Sequence, residues 1–199
     1  MTDGGARKHR RQGEERMPIN KPSADVKTVL RVRDDDHSAG PDTAVITAVA
    51  YCDFACPYCG RAYPVIKRLR ARLGDRLRFV FRHFPLVRKH PFAQQAAEAS
   101  EAADAQDQFW PMHDLLFEHQ QALAKEDLTV YAEYLDLDIE RFNRALAKRV
   151  FQERVDWDIA NGQHIGVHGT PTFFINGSRH TDEDTLEDLV LRMSERAPT

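Results

Sequence analysis

The three cysteines of the chain, Cys52, Cys56 and Cys59, lie within eight positions of one another. The tetrapeptide Cys56-Pro57-Tyr58-Cys59 directly follows an apolar, β-branched run from Ala44 to Tyr51, and its second cysteine opens an amphipathic stretch that reads as helix. Two thiols separated by two residues at a strand-to-helix junction suit reversible disulfide chemistry. The first lies where unpaired backbone N–H groups and the helix dipole favour an anion. The Cys56 pKa is therefore expected below the ordinary thiol value of about 8.5. Cys59 lies about one turn further on, near enough to close a ring, and is expected to be shielded and less acidic. Pro57 suits an early helical position, where its missing donor costs little. Tyr58 offers an aromatic surface and a hydroxyl but no positive charge.

Other residues near this motif can be read in more than one way. Cys52 pairs with Cys56 in a regulatory disulfide, joins Cys56 and Cys59 around a metal, or packs as a small hydrophobe at the end of the central strand. The last is the expectation. A zinc site needs four ligands, and the three cysteines would require His83, His90 or His168 as the fourth, so no metal is expected. Asp53 either assists proton transfer or makes a structural hydrogen bond. His168 reaches the rim of the active site or is merely solvated. His83 and His90 flank Phe84-Pro85-Leu86 and are expected to shape a junction between subdomains, whereas His113 packs or hydrogen-bonds. Trp110 and Trp157 read as core or interdomain residues, and Lys67, Arg68, Arg70 and Arg72 as a solvated helix face.

Bulk properties narrow the function classes. A chain of 199 residues suits one large domain or a domain with a sizeable insertion. A net charge of -3 and a pI near 6.3 give no reason to expect nucleic acid or an anionic membrane as partner. No apolar run approaches the roughly 20 residues that span a bilayer. Residues 1–22 are charged and turn-prone. No apolar core follows Arg7-Lys8-His9-Arg10-Arg11, so the segment reads as a solvated tail rather than a secretory signal. The expected compartment is the cytoplasm, where thiols are usually kept reduced and a cysteine cluster is redox-active or metal-binding.

The elements that position the motif follow from periodicity. Val29, Leu30 and Val32 suggest a short edge strand. Ala44–Tyr51 reads as a central strand buried on both faces. Val65, Ile66, Leu69 and Leu73 recur at helical spacing, with Pro64 expected to kink the helix and Gly74 to cap it. Leu77, Phe79 and Phe81 fall on one face of a second strand, so strand, helix and strand imply parallel pairing. From about Phe92 to Ile165 the period is helical. Phe92, Ala96, Ala99 and Ala103 form one stripe, and Phe109, Met112 and Leu116 another; Asp127 and Asp138 read as N-caps. Thr172–Ile175 returns to strand, Asn176-Gly177 signals a hairpin, and a short strand near Arg179-His180 pairs back. Asp182 then caps a last helix carrying Leu186, Leu189, Val190 and Met193.

Four blocks in this order resemble the DsbA-like thiol–disulfide oxidoreductases. They are Asp53-Phe54-Ala55-Cys56-Pro57-Tyr58-Cys59-Gly60, Arg82-His83-Phe84-Pro85-Leu86 with His90-Pro91, Phe109-Trp110-Pro111-Met112-His113, and Gly169-Thr170-Pro171 through Gly177. The resemblance spans roughly residues 36–195. It implies an α/β architecture, a thioredoxin-like fold with an inserted all-helical subdomain. The implied division is a disordered or extended tail at 1–35, a thioredoxin-like domain at 36–91 and 166–199, and an insertion at 92–165. It further implies that Cys56 is the attacking thiolate and Cys59 the resolving thiol, and that Pro171 follows a cis bond. Thr170, Pro171, Pro57 and Tyr58 are implied to meet substrate. Cys52 departs from the pattern, since such proteins usually carry a small non-thiol residue there. Thr170 is similar to the isomerases, and the strongest oxidants have valine at that place. Some thioredoxin-like domains of this kind are fused to sodium/proton antiporters. No transporter segment accompanies this chain, so it is expected to act alone. The expected activity is disulfide exchange with protein or low-molecular-weight thiols and no organic cofactor. The alternatives are a peptide-binding, chaperone-like module and a cysteine-based metal sensor. Substrate, direction of electron flow and oligomeric state are left open.

Overall fold

The computed structural model describes residues 30–180. The basic N-terminal segment, Val29 and the helix expected from Asp182 lie outside the described residues. In chain order the elements are β1 (His37–Ala39), β2 (Ile46–Cys52), α1 (Pro57–Leu73), β3 (Leu77–His83), α2 (Ala93–Asp104), α3 (Phe109–Glu118), α4 (Lys125–Tyr134), α5 (Ile139–Ala147), α6 (Gln152–His164), β4 (Thr172–Ile175) and β5 (Ser178–Arg179).

The strands form one sheet in the order β1-β3-β2-β4-β5. β2 and β3 run parallel, from Ile46 opposite Leu77 to Cys52 opposite His83, because α1 carries the chain back between them. The other pairings are antiparallel. Asn176 and Gly177 take φ of 47° and 79°, as the tight β4–β5 turn requires. Helix α1 runs through Pro64 without ending and is closed by Gly74, whose N–H donates to the Arg70 carbonyl.

Side-chain alternation divides the central strands between two cores. Ile46, Ala48, Ala50 and Cys52 of β2 join Leu77, Phe79 and Phe81 of β3 beneath α1 and the inserted helices. Val49, Tyr51 and Val80 face the opposite way, toward Leu30, Phe84 and Phe174. Residue α6 Gly162 makes the second packing possible: a Cβ there would lie 2.9 Å from the Tyr51 ring and 3.0 Å from Phe84.

Several expectations change. The edge strand is His37–Ala39, while Leu30 is buried in a turn. Within residues 30–35, Leu30 is buried and Val32 and Arg33 half-buried, while Arg31, Asp34 and Asp35 are exposed. Arg33 Nη2 donates to Asp36 and Asp158 at 2.8 Å each, and buried Arg82 makes a two-pronged pair with Asp36. Asp127 is not an N-cap; its carboxylate reaches back to accept the Ala124 N–H at 2.9 Å. Asp138 does cap α5, accepting from the Arg141 N–H. Trp157 of α6 is 54% exposed, and Phe92, the residue just before α2, is exposed too. Arg70 stacks its guanidinium over the Trp110 ring, so the basic face of α1 is not wholly solvated.

Buried polar groups tie the insertion to the sheet. Glu101 of α2 accepts from His37 Nε2 of β1 and His83 Nε2 of β3, each at 2.7 Å from Oε1. These three ligand atoms lie within 4.8 Å of one another, and the contacts are those of imidazole–carboxylate hydrogen bonds. Burial alone would raise the Glu101 carboxyl, but the two imidazole hydrogen bonds outweigh it and hold the group below the ordinary carboxylate range. A lowered folded-state pKa contributes stability above the unfolded value, and that stability is lost as pH falls through the folded one. Urea denaturation should therefore show stability declining below the ordinary carboxyl value of 4.5. Glu101→Gln should remove part of that decline and cost roughly 2 kcal/mol at neutral pH. An unchanged pH profile in the variant would contradict the assignment.

Candidate active site

The loop after β2 is set by Asp53. Its buried carboxylate accepts from the Ala55 N–H at 2.8 Å, the Leu86 N–H at 2.9 Å and His90 Nδ1 at 2.7 Å. Its acceptors are thus engaged in structure. The Cys56 N–H donates to the Asp53 carbonyl at 3.1 Å, closing the turn that aims Cys56 at the helix start. Cys56 is the N-cap of α1 with extended φ and ψ of −77° and 121°, and Pro57 takes the first turn. Helix α1 therefore begins where its free N–H groups surround the motif.

Across from this turn, the Thr170–Pro171 peptide bond is cis. The Cys56 thiol donates to the Thr170 carbonyl at 3.3 Å, and the Thr170 hydroxyl is buried without a hydrogen-bond partner. Pro57 and Tyr58 are exposed beside the motif. Tyr58 is 64% exposed and has the Arg61 guanidinium 4.4 Å from its ring centroid. Cys56, Cys59, Pro57, Tyr58, Thr170 and Pro171 are thus brought together. His168 is exposed. Of the histidines considered as metal ligands, His83 and His90 are engaged by Glu101 and Asp53.

All three thiols are free and buried, with Cys56 only 2% exposed and Cys59 1%. The expected acidic Cys56 is not found in this dithiol. Its hydrogen bond with Cys59 and then burial push the thiol up, outweighing Thr170 and the Cys59 backbone N–H, which act the other way. Cys59 is also raised well above its ordinary value, by burial first and then by its hydrogen bond with Cys52. Cys52 thus lies close enough to Cys59 to act on its thiol.

A further residue has no signal in the sequence pattern. Gln120, in the turn after α3, donates through Nε2 to the Phe54 carbonyl at 2.6 Å and the Cys56 carbonyl at 2.9 Å. It clamps the active-site loop to the insertion. A Cβ on Gly60 would collide with Gln120 Oε1, so the residue after Cys59 has no room for a side chain while Gln120 is seated. The small residue behind the motif is the only hint of this neighbour in the sequence.

The sheet order, the helical insertion and the dithiol facing a cis-proline define a thioredoxin-class protein with a DsbA-like fold. The chain belongs to the thioredoxin family, whose model matches residues 33–191. Among solved structures it is similar to oxidised BdbD from Bacillus subtilis, with a TM-score of 0.71 and 23% identity over 80% of this chain and 91% of that one. A thioredoxin-like oxidoreductase from Silicibacter pomeroyi gives 0.70 and 24% identity over 83% and 95%. In sequence, it is 49% identical over 156 residues to the Na(+)/H(+) antiporter NhaA 3 of Salinispora tropica, 78% of this chain and 24% of the antiporter. The NhaA antiporter of Herminiimonas arsenicoxydans is 46% identical over 160 residues, 79% of this chain and 25% of that protein. The chain thus spans about a quarter of the length of these antiporters. Among the described residues no helix is long and apolar enough to cross a membrane.

Two outcomes test this geometry. Gln120→Glu puts a group without donors against two carbonyl oxygens and should lower the unfolding free energy in urea by about 2 kcal/mol; wild-type stability would refute the clamp. With its thiol raised, reduced Cys56 holds little thiolate at neutral pH. Its alkylation by iodoacetamide should climb about tenfold per pH unit through pH ~9. A plateau already reached near neutrality would show an acidic thiol instead.

Proposed function

We propose that the chain is a thiol–disulfide oxidoreductase working through the Cys56–Cys59 dithiol. The observation that carries the reading is the Cys56 sulfur at the helix start, 3.3 Å from the Thr170 carbonyl beside the cis bond, with Cys59 one turn further along α1. In the reductive direction, Cys56 as thiolate attacks one sulfur of a substrate disulfide. A mixed disulfide forms and one substrate thiolate leaves. Cys59, once deprotonated, then attacks Cys56 Sγ. The Cys56–Cys59 bond forms, the second substrate thiolate departs, and two electrons have passed to the substrate. Oxidation is the same path reversed.

An incoming peptide would meet Thr170, Pro171 and Pro57, with exposed Tyr58 offering an aromatic face. Substrates of this reading are protein or low-molecular-weight disulfides and thiols, with no organic cofactor. Strong oxidants depend on a stabilised reduced form with an acidic thiol. The raised Cys56 thiol therefore supports reduction or isomerisation over strong oxidation. Three cysteines clustered at one site, with no scattered disulfide framework, support a reducing compartment such as the cytoplasm.

Insulin reduction with dithiothreitol as electron source tests the reading. Cys56→Ser should lower the catalysed rate by more than about tenfold, because no attacking sulfur remains. Cys59→Ser should accumulate the mixed disulfide at Cys56, visible as an insulin adduct on non-reducing gels. If both variants turn over insulin like the unmutated protein, the enzymatic reading fails.

A further inference from the structure

Hydrogen bonds gather four segments around Cys56. Its own turn and the start of α1, residues 53–61, are tied to residues 86–90 by the Leu86 N–H and the His90 ring on Asp53. Residues 168–171 join through the Cys56 thiol on the Thr170 carbonyl, and residues 119–121 through Gln120 on the Phe54 and Cys56 carbonyls. The carboxylate within these segments is Asp53, which is 2% exposed and already holds three donors. The cations within them are Arg61, Arg88 and Lys89, all exposed. Among the described residues none of the three meets a carboxylate; Arg61 lies instead over the exposed ring of Tyr58, 4.4 Å from its centroid. Glu118, just before the Gln120 turn, is taken by Lys67 Nζ at 3.1 Å and the Tyr63 hydroxyl at 2.9 Å. Helix α1 continues the bias, with no Asp or Glu from Pro57 to Leu73. In a chain of net charge -3, the dithiol therefore lies on a locally cationic surface.

We propose that this site selects small disulfides bearing carboxylates beside their sulfurs, with Arg61, Arg88 and Lys89 as the positioning residues that attract and hold them. The inference rests on the proposed function, since it names the substrate that the Cys56–Cys59 dithiol meets. The cations belong to the segments that touch the Cys56 turn, so the charges they meet must lie close to the disulfide itself, as in a small dicarboxylate. Attraction between opposite charges raises the rate of encounter, and a guanidinium adds a two-pronged fit to a carboxylate. The same charges act during exchange. As Cys56 attacks, the substrate S–S bond breaks, the Cys56–substrate bond forms, and negative charge spreads along the attacking, central and leaving sulfurs. The departing thiolate adds its charge to that of its own carboxylate, and fixed cations beside it lower the cost of that accumulation.

The test mixes the fully reduced full chain with dithiodipropionate, hydroxyethyl disulfide or cystamine, which are anionic, neutral and cationic. Protein oxidation is followed by acid quenching, alkylation with N-ethylmaleimide and mass spectrometry. Each rate is divided by that of mercaptoethanol with the same disulfide, which cancels differences between the leaving thiols. The normalised rate for the anionic disulfide should exceed that for the neutral one by at least about fivefold at low salt, with the cationic one slowest. That excess should shrink as salt rises from about 10 mM to about 1 M, because the screening length falls from roughly 30 Å to roughly 3 Å. Combining Arg61→Gln, Arg88→Gln and Lys89→Gln should bring the anionic-to-neutral ratio down to about one. A neutral disulfide reacting as fast as the anionic one, or an unchanged ratio in the triple variant, overturns the charge selection and leaves the proposed function standing. Reduced protein that none of the three disulfides oxidises would remove the proposed function and this inference together.

Discussion

One buried carboxylate organises the active-site end of the molecule. Asp53 gathers a donor from its own loop, one from the Leu86 backbone and one from the His90 ring, and so joins the end of β2 to the connection between β3 and α2. A buried carboxylate is costly unless its oxygens are satisfied, so these donors must stay in place together. Cys56 inherits its position from that requirement, through the turn closed on the Asp53 carbonyl. Glu101 repeats the design deeper in the fold, where imidazoles of β1 and β3 meet on a carboxylate of the first inserted helix. With Gln120 added, the insertion is anchored to the sheet around the dithiol by directional contacts as well as by apolar packing.

The main elements were legible because their periods are strong. A nearly continuous apolar run could satisfy its burial only as a central strand, and β2 is that strand. The switch to helical spacing after Cys59, and back to strand at Leu77, implied the parallel β2–β3 pair. Asn176-Gly177 marked its hairpin because few residue pairs accept two successive positive φ angles. The edge strand was misplaced, since a three-residue strand of polar and small residues carries too little pattern to register. Leu30 looked like strand but is held in a turn by packing against Val49, Tyr51 and Phe174, which lie far along the chain.

At the site, residue types were legible and residue environments were not. The dithiol and the early helical proline could be picked out by position, and the cis-proline segment by resemblance to a known family. Whether Cys56 is acidic depends on competition between helix N–H groups and two effects that spacing does not encode, namely a neighbouring thiol and burial. Gln120 was invisible for a related reason: an isolated glutamine in a turn has no period, and its role exists only because the insertion folds back over the motif. Cys52 was read correctly as buried, but the direction of a strand side chain had to be known before its neighbour could be named.

The steric relation between Gly60 and Gln120 has an evolutionary consequence. With the amide of one position filling the space that a side chain of the other would need, a larger residue at position 60 makes the Gln120 side chain swing away and release the two carbonyls it holds. Lineages in which the residue following the second cysteine grows larger should have lost the glutamine, turned its side chain elsewhere, or moved the turn that bears it. Covariation between the redox motif and a distant segment of the insertion would then record a shared volume that neither stretch reveals alone.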